Sequence, residues 1–413
     1  MTTNTPETTQ KIDYFPLLPN ELVQLIADHL HETPITPPIP LACQRFLVPH
    51  LRQRYKNVQI STYSNLARFF ETLASKPLGG LVARLEIKIS EDPDASDETL
   101  DNSLATANRG LQSLICLRIL SINGSERLWD LVLKPESPFG LKLQSVHLYS
   151  VAAFQDRNAL DPMRFANLAR YPNLSRLAIY EAPILSVSVD SHPDETEPHS
   201  PDLVHFASLT SLSINGALSR FSHPGRLLKC CSPSSLIIKD LSASPKVVDV
   251  LETAQEPEKV SMLSLLSFGS LPSVRYLDVL RRFNRIHTLS LAVTCVLSSH
   301  EYYDTLAILP LRTLTFFLHC SISATGVLGL VEGRSRSPTL LKLVLDHVQA
   351  TEGTFAKSRD DTDWKLPVWD ISFTRSQAQA VREAGRRGGV EVAGKAFEAM
   401  EIEDRFEEIM ASL

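Results

Sequence analysis

The chain has 413 residues, enough for one large domain or two to three of ordinary size. Hydrophobic residues make up 43% of it and charged residues 21%, so we expect most of the chain to fold. The 41 basic and 47 acidic residues give a formal net charge of −6, and the basic residues are scattered. This charge distribution excludes a dedicated nucleic-acid-binding protein.

The cysteines lack both the C-x-x-C pairs and the short Cys–His spacings of a zinc site. They are Cys43, Cys116, Cys230, Cys231, Cys295 and Cys320. We expect reduced, mostly buried thiols and no metal or cofactor. No run approaches the roughly 18 apolar residues of a membrane span, and the polar N-terminus lacks the apolar core of a signal peptide. These features predict a cytoplasmic or nuclear protein that does not contact a membrane.

The first apolar pattern follows a polar lead, residues 1–15, and is helical. Pro19 suits a first helical turn, where its missing N–H costs nothing. Apolar residues then recur at helical spacing and form one stripe: Leu22, Leu25, Ile26 and Leu30. The four prolines of segment 34–40 predict the end of this helix.

A second apolar run covers Leu41 to Ile60. Pro49 predicts a division into two short helical pieces, and Val58 with Ile60 predicts the start of a strand. Only about 40 residues are involved, too few to bury a good core alone. We therefore expect segment 16–60 to depend on a partner or on the next domain.

A loose repeat begins near residue 80, with a core of Leu-x-Leu or Leu-x-Ile. The first residue of each pair lies at 85, 120, 146, 177, 212, 236, 263, 289, 314 and 343, and a weaker copy lies at Trp369 to Phe373. Most steps fall in or near the 20–29 residues of leucine-rich repeats. The two longest steps contain acidic insertions, Glu91 to Asp101 and Asp190 to Asp202.

Helix-like stretches lie between the predicted strands, most clearly Pro162 to Tyr171, Ser244 to Ala254 and Leu271 to Phe283. Strand–helix alternation also describes a doubly wound sheet or a barrel, but neither needs one short motif at near-constant spacing. We therefore favour an α/β solenoid over residues 61–373, with parallel strands and helices on the outer face. Thr374 to Gly385 and Gly394 to Leu413 predict a helical cap over 374–413, or else a partner-binding helix.

The N-terminal segment resembles the F-box family, the substrate-receptor subunits of SCF-type ubiquitin ligases. The resemblance rests on LPNEL from Leu18 to Leu22, on Ile26 and Leu30, on LACQRF from Leu41 to Phe46, and on RYKNVQI from Arg54 to Ile60. It departs from the family in the loop PITPPIP, which replaces a compact turn and is expected to change how the second helix is presented. A plain three-helix cap on a solenoid would also carry leucines at these spacings.

The resemblance implies that apolar residues of the motif bind a Skp-type adaptor, which holds a cullin scaffold. Carried over by position, these residues are Leu18, Pro19, Leu22, Ile26, Leu41 and Phe46. The repeats resemble the leucine-rich-repeat half of F-box proteins, which implies a protein substrate on the open side of the strands. The candidate substrate contacts there are His147, Tyr149, Tyr180, Asn215, Thr315, Phe317 and Lys342.

The sequence carries no catalytic motif: it lacks G-x-S-x-G, a Walker loop, H-E-x-x-H and G-x-G-x-x-G. Asp360, Asp361 and Asp363 lack the glycine and distal glutamate of a calcium loop, so an exposed acidic loop is favoured. The sequence therefore predicts a non-enzymatic adaptor for ubiquitin-dependent protein degradation. The alternative is a leucine-rich-repeat scaffold without a ubiquitin role.

Overall fold

The structure is a computed structural model, and its main sheet has twelve parallel strands in an α/β fold. It describes residues 22–23, 25–26, 44–89, 97–133, 142–150, 162–181, 205–216, 218, 225–240, 246–267, 273–293, 296–297, 300–317, 321–333, 336–346, 375–395 and 397–398. Leu18, Pro19, Leu41, the proline-rich segment 34–40, the insertion 190–202, the three aspartates at 360–363 and the weak repeat copy at 369–373 lie outside these residues.

The chain divides into two compact units. The first comprises Met1–Ser121 with Ser137–Leu143, and the second comprises Ile122–Glu136 with Gln144–Leu413. The elements of the first unit are α1 (Gln44–Lys56), β1 (Asn57–Ile60), α2 (Tyr63–Ser75), a 3-10 turn (Gly79–Leu81), β2 (Arg84–Lys88), α3 (Asp97–Leu111) and the start of β3 (Ile119–Gly124). The predicted domain limits at 15, 60 and 373 stay predictions.

The core of the first unit forms where α2 packs against α3. Thr62 begins α2 by accepting the Asn65 N–H at 3.2 Å, which satisfies one of the unpaired donors of the first turn. Its apolar face buries Leu66, Phe70 and Leu73. Gly110 lets α3 approach closely, because a Cβ there would lie 2.7 Å from the Phe70 carbonyl oxygen.

Two predictions for the first unit are wrong. Pro49 does not divide its segment, since α1 continues through it from Gln44 to Lys56. Pro49 is the sixth of the 13 residues of α1, where a proline removes one backbone hydrogen bond, and the helix continues on both sides of it. The acidic segment from Glu91 to Asp101 is not wholly an insertion, because α3 begins at Asp97. Carboxylates are favourable in a first helical turn, where the helix dipole is positive.

The second unit alternates strands with helices. Its elements are α4 (Glu126–Leu133), β4 (Ser145–Ser150), a 3-10 helix (Pro162–Arg170), β5 (Arg176–Glu181), β6 (Ser211–Gly216), α5 (Arg226–Lys229), β7 (Ser235–Asp240), α6 (Val247–Glu252), a 3-10 turn (Pro257–Lys259), β8 (Met262–Ser267), α7 (Ser273–Arg282), β9 (Thr288–Val293), β10 (Val296–Leu297), α8 (His300–Ile308), β11 (Thr313–Phe317), β12 (Ser321–Ile322), α9 (Ala324–Val331), β13 (Lys342–Asp346), α10 (Arg375–Gly388) and β14 (Glu391–Ala393).

The strands of the second unit lie side by side in chain order, from β4 through β9 to β11, β13 and β14, and every neighbouring pair is parallel. Strands β10 and β12 form a separate parallel pair. Each helix from α5 onward packs against the next, up to α10. This is a solenoid-like arrangement, in which each strand–helix unit buries its apolar side against its neighbours.

The repeat register predicted from the sequence is confirmed. Leu177 lies opposite Val146 on one side and Leu212 on the other, and the same position pairs strand after strand as far as Leu343. The second and fourth residues of these strands, from β4 to β13, are at most 1% exposed. The Leu-x-Leu pairs therefore form the buried side of the sheet.

Hydroxyl groups add a column of hydrogen bonds just before the strands. The side chains of Ser175, Thr210, Ser234 and Ser261 each donate to the carbonyl oxygen at the equivalent position of the preceding strand, at 3.0–3.2 Å. The backbone N–H groups of the same residues donate to the same carbonyls. This column aligns the start of each repeat and did not enter the sequence prediction.

The predicted helices lie at the expected positions, but their lengths and one helix type differ from the prediction. Ser244 to Ala254 and Leu271 to Phe283 contain α6 and α7, which are shorter than predicted, and the segment from Pro162 is a 3-10 helix. The predicted helix from Thr374 is α10. The stretch after it is not a mere connection, because β14 pairs there with β13 and places Val392 opposite Leu343. The three residues Glu391–Ala393 formed too short a pattern to identify as a strand.

Candidate interaction surfaces

Three neighbouring apolar side chains of the N-terminal segment are exposed. Leu22, Leu25 and Ile26 are helical and are 45%, 64% and 37% exposed, whereas Val23 is 2% exposed. With 3.6 residues per turn, the three exposed residues share one helix face, and Val23 lies about 100° round the helix from Leu22. Val23 is thus buried, and the segment exposes Leu22, Leu25 and Ile26, which we call the N-terminal apolar surface.

The predicted adaptor-binding residues are only partly described. Leu22 and Ile26 lie together on the N-terminal apolar surface. Leu18, Pro19 and Leu41 lie outside the described residues, and Phe46 belongs to α1. Leu25 was not among the predicted contacts, although it is the most exposed of the three apolar residues. Its place on the same helical stripe as Leu22 and Ile26 was the signal that could have identified it.

The second candidate surface lies on the strands of the second unit. Because side chains alternate along a strand, the first, third and fifth residues face away from the buried Leu-x-Leu side. We call this side of β4–β9, β11 and β13 the open face. Six of the seven predicted substrate contacts are at its third or fifth positions, and Lys342 is at a first position.

Aromatic rings stack on the open face at β4 and β5. Tyr149 and Tyr180 lie opposite each other in register, with ring centroids 4.4 Å apart and planes 6° from parallel. The His147 ring lies 6.5 Å from Tyr149 at 10°, and its Nε2 is 2.7 Å from Ser145 Oγ. The three side chains are half-buried, so part of the stack remains accessible. The sequence placed the three rings on one face but did not indicate that they stack.

The row continues from Tyr180 to Asn215 and then to Lys239, each on the next strand. Asn215 is 8% exposed and its Nδ2 donates to Ser213 Oγ at 2.9 Å. Within the described residues its Oδ1 has no hydrogen-bond partner. Lys239 is exposed. Tyr149, Tyr180, Asn215 and Lys239 therefore form one continuous line across four strands, which we call the aromatic row.

The remaining predicted contacts lie farther along the sheet. Thr315 is buried at 8% exposure, and Phe317, on the same strand, is 39% exposed. Lys342 pairs with Glu391 of β14 at 2.5 Å. The structure therefore brings His147, Tyr149 and Tyr180 together with Asn215, and it separates them by several strands from the other three predicted residues.

The described residues hold no group of three or more His, Cys, Asp or Glu side chains that could bind a metal ion. Cys230 and Cys231 are buried, as the sequence predicted, and Cys116 is half-buried with its sulfur 3.8 Å from Lys142 Nζ. Burial raises the pKa of the Cys231 thiol to about 12, and neighbouring Cys230 adds to the rise. A thiol that stays protonated at neutral pH is a poor nucleophile.

No family model and no curated protein matches the chain. Among the described helices, none combines the length and apolar character needed to cross a membrane.

Proposed function

We propose that this protein is a substrate-recognition adaptor of an SCF-type ubiquitin ligase. In this proposal segment 16–60 is an F-box that docks on a Skp-type adaptor and through it on a cullin. The solenoid-like second unit holds the protein substrate on its open face, and α10 with β14 caps the repeats. The exposure of Leu22, Leu25 and Ile26, beside a motif that resembles an F-box, is the observation that carries the proposal.

Exposure of the N-terminal apolar surface to water has a free-energy cost. Fully burying one leucine or isoleucine side chain is worth about 1.5–3 kcal/mol, so leaving three partly in water forgoes a sizeable free energy. Apolar residues grouped on one exposed helix face are typical of a binding site, and a few such anchors supply most of the energy of an interface. A docked adaptor would bury them.

The open face suits a protein ligand. Stacked tyrosines offer large, rigid contact area at low conformational cost, and the polar groups beside them can orient a partner. Repeats that expose a row of strands provide an extended surface of this kind.

The test is co-purification of the full chain with a recombinant Skp-type adaptor. We expect the triple variant Leu22→Ser/Leu25→Ser/Ile26→Ser to bind about 100-fold more weakly, because each truncation removes about 1 kcal/mol or more and 1.4 kcal/mol is a factor of ten. Its melting temperature should stay unchanged, since the three side chains are exposed in the free protein.

The matched control is Val274→Ser/Ile308→Ser, which removes apolar side chains that are 64% and 70% exposed elsewhere in the chain. This control should bind the adaptor like the wild type. Equal binding by the triple variant, or no adaptor binding by the wild type, would refute the F-box role. A wild type that binds its partner but never an adaptor would be a leucine-rich-repeat scaffold.

A further inference from the structure

The charges on the open face differ from those of the chain as a whole. From β4 to β9 its first, third and fifth residues include Arg176, Lys239 and His147 and no aspartate or glutamate. The chain itself has more acidic than basic residues, 47 against 41. Asp240, at the sixth position of β7, is turned to the buried side and accepts the N–H groups of Leu218 and Lys246 at 3.2 and 2.9 Å.

The stacking of Tyr149 on Tyr180 decides which parts of the rings can meet a ligand. At 4.4 Å and 6° the two rings cover each other's faces. What a ligand meets is then mainly ring edges and hydroxyl groups. An aromatic ring is negative on its face and positive at its edge, and a tyrosine hydroxyl can donate a hydrogen bond. The stack therefore favours carboxylates over cations, in agreement with Arg176 and Lys239.

A polypeptide can supply the hydrogen bond that Asn215 lacks. Asn215 lies between Tyr180 and Lys239 in the aromatic row, and its Oδ1 is without a hydrogen-bond partner in the described part of the chain. A buried acceptor that stays unpaired destabilises the protein, and a ligand that donates a hydrogen bond to it removes that cost. A peptide backbone supplies N–H donors at regular spacing, whereas a nucleic-acid backbone presents only acceptor oxygens at its phosphates.

We propose that the open face of β4–β7 binds an acidic, extended peptide segment that lies across the aromatic row between Tyr149 and Lys239. Backbone N–H groups of the segment reach Asn215, and its carboxylates contact the tyrosine edges and Lys239. Arg176 lies four residues before Tyr180 on β5, and its positive charge attracts the acidic segment from farther along the same face. That this segment belongs to a ubiquitination substrate rests on the function proposed above; the binding itself does not.

The experiment measures fluorescence anisotropy of labelled probes with the full chain and no adaptor. The probes are a short peptide of Glu and Asp with one central Phe, the same peptide with Gln and Asn in place of the acids, the same with Lys, and a single-stranded oligonucleotide of equal charge to the first. We expect the acidic peptide to bind at least ten times more tightly than any other probe. Added salt should weaken the binding of the acidic peptide, because dissolved ions screen exposed charges.

Two sets of variants localise the site. Tyr149→Ala/Tyr180→Ala should reduce acidic-peptide affinity at least tenfold, and Arg176→Gln/Lys239→Gln should reduce both the affinity and its salt dependence. The control Lys259→Gln removes an exposed lysine of the 3-10 turn Pro257–Lys259 that is paired with Glu256, away from the open face, and it should leave binding unchanged. Because Arg176 and Lys239 are exposed, the charge variant should keep the wild-type melting temperature.

Equal binding of acidic and neutral peptides, stronger binding of the oligonucleotide, or undiminished binding by the charge variant would overturn the proposal. The outcome is separable from that of the F-box proposal. The triple variant at Leu22, Leu25 and Ile26 should change adaptor binding alone, so either proposal can fail while the other holds.

Discussion

Cys230 and Cys231 follow α5 and are each 3% exposed in the second unit. Burial raises the pKa of both thiols, and at Cys230 the charges of Arg226 and Lys229 oppose the rise. The two residues therefore behave as small hydrophobes of the core. Their place directly before β7, where the Cys230 carbonyl accepts the Phe206 N–H at 2.8 Å, links them to the neighbouring repeat.

The raised pKa of Cys231 predicts a pH dependence of stability. The unfolded thiol titrates near its ordinary value of 9.0 and the folded one at about 12. Below about pH 9 both states keep the proton and stability is unaffected; above it the unfolded state ionises first, so the free energy of unfolding falls until about pH 12. We expect urea denaturation to show a smaller alkaline loss for Cys231→Ala than for the wild type. Parallel pH profiles for the two proteins would contradict this prediction.

Helices α8 and α9 approach each other at a glycine. A Cβ on Gly326 would lie 2.0 Å from Cε2 of Tyr303. Tyr303 is 2% exposed, and its hydroxyl accepts the Ser323 N–H at 2.7 Å, so the ring has little room to move. The same Ser323 begins α9, accepting the Gly326 N–H with its side chain. Spacing between these two repeats thus depends on one position without a side chain.

We expect Gly326→Ala to lower the free energy of unfolding by about 1–3 kcal/mol, because overpacking outweighs the gain of about 1 kcal/mol in helix propensity. Thermal or urea denaturation measures this change in the free energy of unfolding. The control is Gly80→Ala, where the nearest atom to an added Cβ is Ile115 Cδ1 at 4.0 Å. That variant should stay within about 0.5 kcal/mol of the wild type. A neutral Gly326→Ala would show that the helices can separate without cost.

At the scale of the molecule, the two candidate surfaces belong to different compact units. Leu22, Leu25 and Ile26 lie in the first unit, and the aromatic row lies in the second. Mutations at sites that share no contacts usually have additive effects on free energy. If the proposed function holds, the surfaces act as separate modules on one chain.

Under the proposed function, this separation predicts the behaviour of a reconstituted ligase. Ubiquitin transfer to a reporter that carries the acidic peptide should be lost both in the triple variant at Leu22, Leu25 and Ile26 and in Tyr149→Ala/Tyr180→Ala. Only the triple variant should lose the adaptor, and only the tyrosine variant should lose the peptide. Transfer that survives either variant would contradict the two-module description; the Val274→Ser/Ile308→Ser chain serves as the active control.

The sequence by itself determined the repeat. Each Leu-x-Leu pair is a local pattern that recurs after a short interval, and its apolar residues have to be buried. The strand positions and their register therefore followed from the spacing, from Val146 to Leu343. Shorter or weaker patterns did not carry enough information: β14 has three residues, and a proline inside α1 resembled a helix end.

Tertiary structure decided what a single strand cannot specify. The stack of Tyr149 on Tyr180, the column of hydroxyls from Ser175 to Ser261 and the close approach at Gly326 all join residues from different repeats. The sequence placed the tyrosines on one face, but the distance between neighbouring strands made them a surface. Likewise the stripe of Leu22, Leu25 and Ile26 was visible from spacing, and only the folded chain showed that it faces solvent while Val23 does not.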